Sequence, residues 1–204
     1  MRAIAARSGH LLVGWGSVGV IYTLCDHLQG PGYQLPPLWI DTLIPYSPSA
    51  IWLYLSFFLI VPLGYFLVPM VRIRWLTMAI QLSALVAGAV YLLWPTTMHY
   101  PPLEGEGHAV KVAGWLIAID SSQNCFPSLH AALTMLAVWA IALCRCGWLT
   151  LVSVAWALAI GFSILQLCRH LFIDLAGGML VAWSCGWLVM RWLIPPAIPG
   201  RPDE

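Results

Sequence analysis

Two short runs of this chain carry residue types suited to chemistry. The first is Asn124-Cys125-Phe126-Pro127-Ser128-Leu129-His130, and the second is Arg169-His170-Leu171-Phe172-Ile173-Asp174. A four-residue separation puts His170 and Asp174 on one face of a helix. A carboxylate in that position accepts a proton from one imidazole nitrogen and leaves the other as a lone-pair nucleophile or base. In the first run, Pro127 suits the opening turn of a helix, where its missing N–H would have no partner. The free N–H groups of that turn and the helix dipole then face an anion. Ser128 adds a hydroxyl donor, and His130 sits one turn deeper. A held anion beside two imidazoles is an arrangement for phosphoryl transfer.

Each feature alone also has a structural explanation. Pro-Ser at a helix start is common, and a His/Asp pair at this spacing can be a hydrogen bond or part of a metal site. His10, His27, His99 and His108 read as satisfied polar residues near an interface. The two runs together, each at the entrance of a helix, favour a site.

The elements that position these runs belong to a membrane. The chain is 61% hydrophobic and 8% charged, whereas a soluble domain is nearer half apolar and a quarter charged. Many of its 12 Trp lie near the ends of apolar runs, as in an aromatic belt. A net charge of +1 gives no electrostatic footprint for nucleic acid. No polar linker divides the chain, so residues 1–204 read as one membrane-embedded domain. The basic N-terminus followed by an apolar run lacks a small-residue cleavage site and reads as a first membrane helix. The six Cys show no metal spacing and read as reduced apolar fillers, although Cys125 and Cys168 lie close enough to the two motifs to approach one another.

Six apolar stretches approach the roughly 20 residues that a spanning helix needs: Leu11 to Cys25, Ala50 to Met70, Trp75 to Trp94, Pro127 to Leu143, Leu149 to Leu167 and Phe172 to Ile194. Continuous rather than alternating hydrophobicity disfavours spanning strands. With the N-terminus cytosolic, Arg2, Arg7, Arg72, Arg74, Arg145, Arg191 and Arg201 fall on the cytosolic side. Only Lys111 and Arg169 fall outside, as the positive-inside rule requires. The expected fold is therefore an all-α, polytopic membrane protein with six transmembrane helices and its site at the non-cytosolic face. Ala109 to Ile119 is apolar but too short to span, and reads as an interfacial helix or a lid.

The motifs resemble those of the phosphatidic acid phosphatase type 2 superfamily of membrane lipid phosphatases and phosphotransferases. The resemblance rests on Pro127-Ser128-Leu129-His130, and on Ser163 with six residues before His170 and three more before Asp174. Leu129, where many members have Gly, is similar to the branch of inositol-phosphorylceramide and sphingomyelin synthases. So are Asp120, Asn124, Phe126, Ile44-Pro45-Tyr46 and Tyr54-Leu55-Ser56. The similarity runs from about Asp41 to Gly178.

The resemblance implies that His170 attacks phosphorus to form a phosphohistidine, with Asp174 orienting the ring. It implies that His130 protonates the leaving alcohol and then activates the resolving water or alcohol. Ser128 and the helix N-terminus would hold phosphate oxygens, and no metal or other cofactor is implied. The chain departs from the superfamily at an Arg position now occupied by Ile164, and in lacking an Arg-Pro after the third helix. A phosphate in a partly dry site still needs positive charge, which leaves Arg169 and, more weakly, Lys111 to supply it.

The leading expectation is a lipid phosphatase acting on a phosphorylated lipid, in a bacterial inner membrane with its site facing the periplasm or exterior. A phosphotransferase moving a phosphoryl or phospho-headgroup to a lipid alcohol would use the same residues. A non-catalytic lipid-binding scaffold or transporter is the alternative of another class.

Overall fold

A computed structural model describes residues 1–193. It is all-α apart from two two-residue strands. The helices are α1 (Arg2–Leu28), α2 (Trp39–Thr42), α3 (Ile51–Leu55), α4 (Phe57–Leu67), α5 (Ile73–Leu93), α6 (His108–Ile119), α7 (Leu129–Ala142), α8 (Gly147–Gln166) and α9 (Phe172–Leu193). The strands β1 (Tyr33–Gln34) and β2 (Thr96–Thr97) pair in parallel, with Tyr33 opposite Thr96. They clip the first long loop to the start of the second.

Among the described residues, five helical stretches are long and apolar enough to cross a membrane: Arg2–Leu28, Pro48–Leu67, Met70–Leu93, Gly147–Gln166 and Phe172–Leu193. The second joins a 3-10 turn at Pro48–Ala50 to α3 and α4, and Ser56 is the joint between the two helices. The expected stretch Leu11 to Cys25 proves to be part of a longer helix, because the Arg-bearing flank continues the same winding. The end expected at Ile194, and Arg201 beyond it, lie outside the described residues.

The expected span Pro127 to Leu143 is the main departure. Helix α7 has 14 residues, a rise of about 21 Å, which is short of a hydrocarbon core of about 30 Å. Its start is delayed because Pro127 lies outside the helix and Ser128 is the N-cap, its Oγ accepting from the Ala131 N–H at 3.3 Å. Pro127 is therefore not in the opening turn, as its type suggested. Helix α7 is nevertheless central, packing against α4, α5, α8 and α9, with Leu133, Leu136 and Ile141 fully buried.

Contacts between distant segments sort the helix ends. Arg7 Nη1, near the start of α1, donates to the carbonyls of Tyr65 and Val68 at the end of α4. Arg72 reaches Met190 near the end of α9, and Cys144, past the end of α7, reaches Leu67 O. The basic residues Arg7, Arg72 and Arg145 thus gather at one end of the bundle. The opposite end carries the loops with Asp26, Asp120 and Arg169, joined by Ser121 to Asp26 and by Arg169 to Asp120.

Candidate active site

Both motifs arrive at this second end and are tied together through the backbone. The Ser128 N–H donates to the main-chain carbonyl of Asp174 at 2.9 Å. Small residues on α9 make this approach possible. A Cβ at Gly178 would collide with the main-chain oxygen of Ser128, and one at Gly177 would sit 2.5 Å from the Phe126 ring. The Gly177-Gly178 pair thus admits a neighbouring segment behind the site, as its composition suggested.

The two imidazoles meet across this joint. The rings of His130 and His170 lie 5.7 Å apart, centroid to centroid, inclined by 62°. His130 projects from the first turn of α7 and is held from α3, whose Tyr54 hydroxyl lies 2.9 Å from His130 Nε2. The Phe57 ring rests 4.7 Å from the same imidazole. His170 occupies the tight connection between α8 and α9, where Cys168 takes a left-handed conformation at φ 51°.

Asp174 does two things. Its Oδ2 accepts the Leu171 N–H at 2.8 Å, reaching back from the first turn of α9 as an N-terminal capping carboxylate does. The same oxygen stands 3.6 Å from His170 Nδ1, too far for the hydrogen bond that the four-residue spacing suggested. The cap contact, made to a fixed backbone N–H, sets the position of the carboxylate. Asp174 Oδ1 and His170 Nδ1 are both buried without a hydrogen-bond partner. Groups in that condition call for a bound polar species or a small closure of the pair.

Arg169 is enclosed rather than solvated, with 5% of its surface exposed. It forms an ion pair with Asp120, which in turn accepts from the Tyr22 hydroxyl at 3.1 Å. Its guanidinium lies 4.1 Å over the Tyr100 ring. Burial works against its charge, but the oxygens of Tyr100, Asp120 and Tyr54 outweigh that and hold its pKa above the ordinary value. Arg169 Nη1 remains buried with no partner. Asp120 thus takes one arm of the guanidinium that was expected to face phosphate.

Lys111 is not brought to the pair. It is exposed on α6 and lines neither cavity that reaches His170. Ser128 is wholly buried; its oxygen caps α7 and its hydroxyl proton is left to donate. Ser163, part of the motif resemblance, donates within α8 to Ile160 O at 2.7 Å. His10 is satisfied at the other end by Thr77 Oγ1 at 3.0 Å. Cys125 and Cys168 are free thiols.

His170 borders two cavities. One, of about 190 Å³, lies under the loops and is lined also by Gln34, Asp41, Thr42, Leu165 and Cys168. The other, of about 220 Å³, lies on the side of α1 and α4, where Trp15, Val18, Phe57 and Leu133 surround His130, His170 and Asp120. Sequence reasoning gave neither Tyr54 nor Asp120 a role in the site. A tyrosine inside an apolar run and an acid four residues before Asn124 were the available signals.

No family model matches the chain, and neither a curated protein nor a solved structure is found to be similar to it.

Proposed function

We propose that the chain is a membrane-embedded lipid phosphatase of the phosphatidic acid phosphatase type 2 kind, hydrolysing a phosphorylated lipid through a phosphohistidine. The observation that carries this reading is the 5.7 Å approach of the His130 and His170 rings, from motifs some forty positions apart, beside a buried carboxylate. The span count is six, with α7 as the short member. The site faces the non-cytosolic side, because Arg7, Arg72 and Arg145 lie at the other end. The setting that fits is a bacterial inner membrane.

On this proposal each group near the two rings has a part in the reaction. Nδ1 of His170 faces Asp174, so Nε2 is the nitrogen that attacks phosphorus. The P–N bond forms as the bond from phosphorus to the lipid oxygen breaks, and the departing alkoxide takes a proton from the His130 imidazolium, leaving it neutral. Asp174 offsets the positive charge on the substituted imidazole. Arg169 Nη1, the Ser128 hydroxyl and the N–H groups opening α7 face charge on the phosphoryl oxygens. His130 then removes a proton from water, which attacks phosphorus, breaks the P–N bond and restores His170.

A phosphotransferase would differ only in the final acceptor. The apolar lining of the 220 Å³ cavity on the α1 side favours it, since a lipid alcohol can approach His170 there. Purified protein in detergent with EDTA, offered lipid phosphates, diphosphates and phosphodiesters, separates these readings. Phosphate release that His170→Ala abolishes supports hydrolysis. Release of a diacylglycerol or ceramide, with the headgroup moved to an added alcohol, supports transfer. No turnover of any lipid would leave a non-catalytic lipid-binding scaffold or transporter.

A further inference from the structure

A third cavity, of about 490 Å³, runs between α7, α8 and α9 and touches neither histidine. Its α7 wall is Ala131, Thr134, Met135 and Val138, the repeat of a single helical face. His130 and Leu133 lie on a different face and line the α1-side cavity. Helix α7 therefore separates an apolar trough from the reacting groups. An apolar cavity of about 150 Å³ accommodates benzene, so this one has room for on the order of twenty carbon atoms by the same measure.

The trough adjoins the loop cavity. Leu165 lines both it and the loop cavity that His170 borders. Helix α2 roofs the junction, with Ile40 on the trough and Asp41 and Thr42 on the loop cavity. One polar group interrupts the lining. Thr134 is 5% exposed, and its Oγ1 is buried without a partner. A helical threonine ordinarily donates to the carbonyl four residues earlier. Thr77 does so to Ile73 O at 3.0 Å, and Thr150 to Cys146 O at 3.2 Å. Thr134 does not, and it stands one turn below His130.

We propose that this trough binds one acyl chain of the phosphorylated lipid, and that the Thr134 hydroxyl donates to the ester carbonyl at the head of that chain. The inference rests on the lipid-phosphate reading above. It places the phosphate at His170, the ester one turn deeper at Thr134, and the chain along Met135 and Val138.

The test compares dioleoyl phosphatidate with its dialkyl ether analogue, which keeps the chains and phosphate but lacks the carbonyls. Thr134→Val should lower kcat/KM for the diester roughly three- to tenfold, the range of one hydrogen bond, and leave the diether unchanged. Equal loss on both lipids, or none on either, would overturn the ester contact. Gly161→Leu adds bulk to the trough from α8, where a Cβ meets only Leu175 Cδ2 at 3.6 Å. It should reduce kcat/KM for dioleoyl phosphatidate about tenfold and spare the dihexanoyl lipid; an equal effect on both counts against the trough.

A phosphatidate with a photoactivatable acyl chain gives a readout independent of turnover. It should label Met135, Val138 or Leu158 in both the wild type and His170→Ala, and excess phosphatidate should compete where phosphatidylcholine does not. Equal competition by the two would mean bulk lipid fills the trough, and the proposal falls. Selective labelling without turnover of any lipid would remove the enzyme reading while leaving this site in place.

Discussion

The Tyr54 hydroxyl lies 2.9 Å from Nε2 of His130 and is itself almost wholly buried. When the Tyr54 oxygen accepts from Nε2–H, the lone pair of neutral His130 is confined to Nδ1, free to take a proton, so this contact selects the tautomer. Tyr54→Phe keeps the ring and its packing and removes only that selection. Steady-state kinetics should show kcat reduced about tenfold with KM little changed and an altered pH profile. Unchanged kcat and pH profile would leave Tyr54 a packing residue.

The two histidines have separable signatures. With ³²P-labelled lipid, His130→Ala should slow both formation and breakdown of an acid-labile phosphoenzyme, and His170→Ala should abolish label on the protein. Asp174→Asn should strongly lower turnover. Its thermal stability should change little, since the Asn amide oxygen can still accept the Leu171 N–H that caps α9. Normal turnover in any of the three variants would remove that residue from the mechanism.

Asp120 is expected to matter through Arg169. Asp120→Ala strands a buried guanidinium, and breaking such a pair typically costs about 3 kcal/mol or more. The purified variant should therefore melt well below the wild type. Arg169→Leu in the same background should recover much of the loss. A melting temperature unmoved by Asp120→Ala would mean that the pair is solvated.

Gly178→Ala places a methyl group against the main-chain oxygen of Ser128 and should loosen its N–H bond to Asp174. Overpacking of this kind costs about 1–3 kcal/mol, and the displaced motif should carry activity down with it. Gly161→Ala, whose Cβ meets Leu175 at an ordinary 3.6 Å, serves as the stability control. Equal melting temperatures for the two variants would contradict the close approach.

Cys125 offers a chemical check. Burial, reinforced by the charges of Asp174 and Asp120 against that of Arg169, pushes its thiol up to about 12. Its folded pKa thus exceeds that of an ordinary thiol, and the thiolate that alkylating agents need is scarce at pH 8. Iodoacetamide followed by mass spectrometry should find Cys125 unmodified in the native protein and labelled after denaturation. Native labelling at pH 8 would mean that the segment before α7 is open.

Much of this arrangement could be read from residue types. The convergence of His130 and His170, the close approach at Gly177 and Gly178, and the gathering of cations at one end follow from motif spacing, small residues and charge. What escaped was set by competition for partners. The spacing of His170 and Asp174 implied a direct bond, but the Leu171 N–H claims the carboxylate first. Arg169 looked available for phosphate, but Asp120 arrives from a loop whose path no local pattern encodes. The apolar run from Pro127 to Leu143 suggested a full span, yet the Ser128 cap starts the helix late. Ile164, where a superfamily Arg was missed, proves to line the apolar trough.

The brevity of α7 bears on the segment that precedes it. Helix α8 leaves the Arg145 turn with 20 residues, about 30 Å, whereas α7 arrives there with 14, about 21 Å. The difference of about 9 Å is left to the run from Asp120 to Ser128, whose polar side chains tie it to α1 through Asp26, Gln29 and the Tyr22 carbonyl. Lengthening α7 by one turn at its start would carry the Ser128 N–H away from the Asp174 carbonyl and undo the joint between the two motifs.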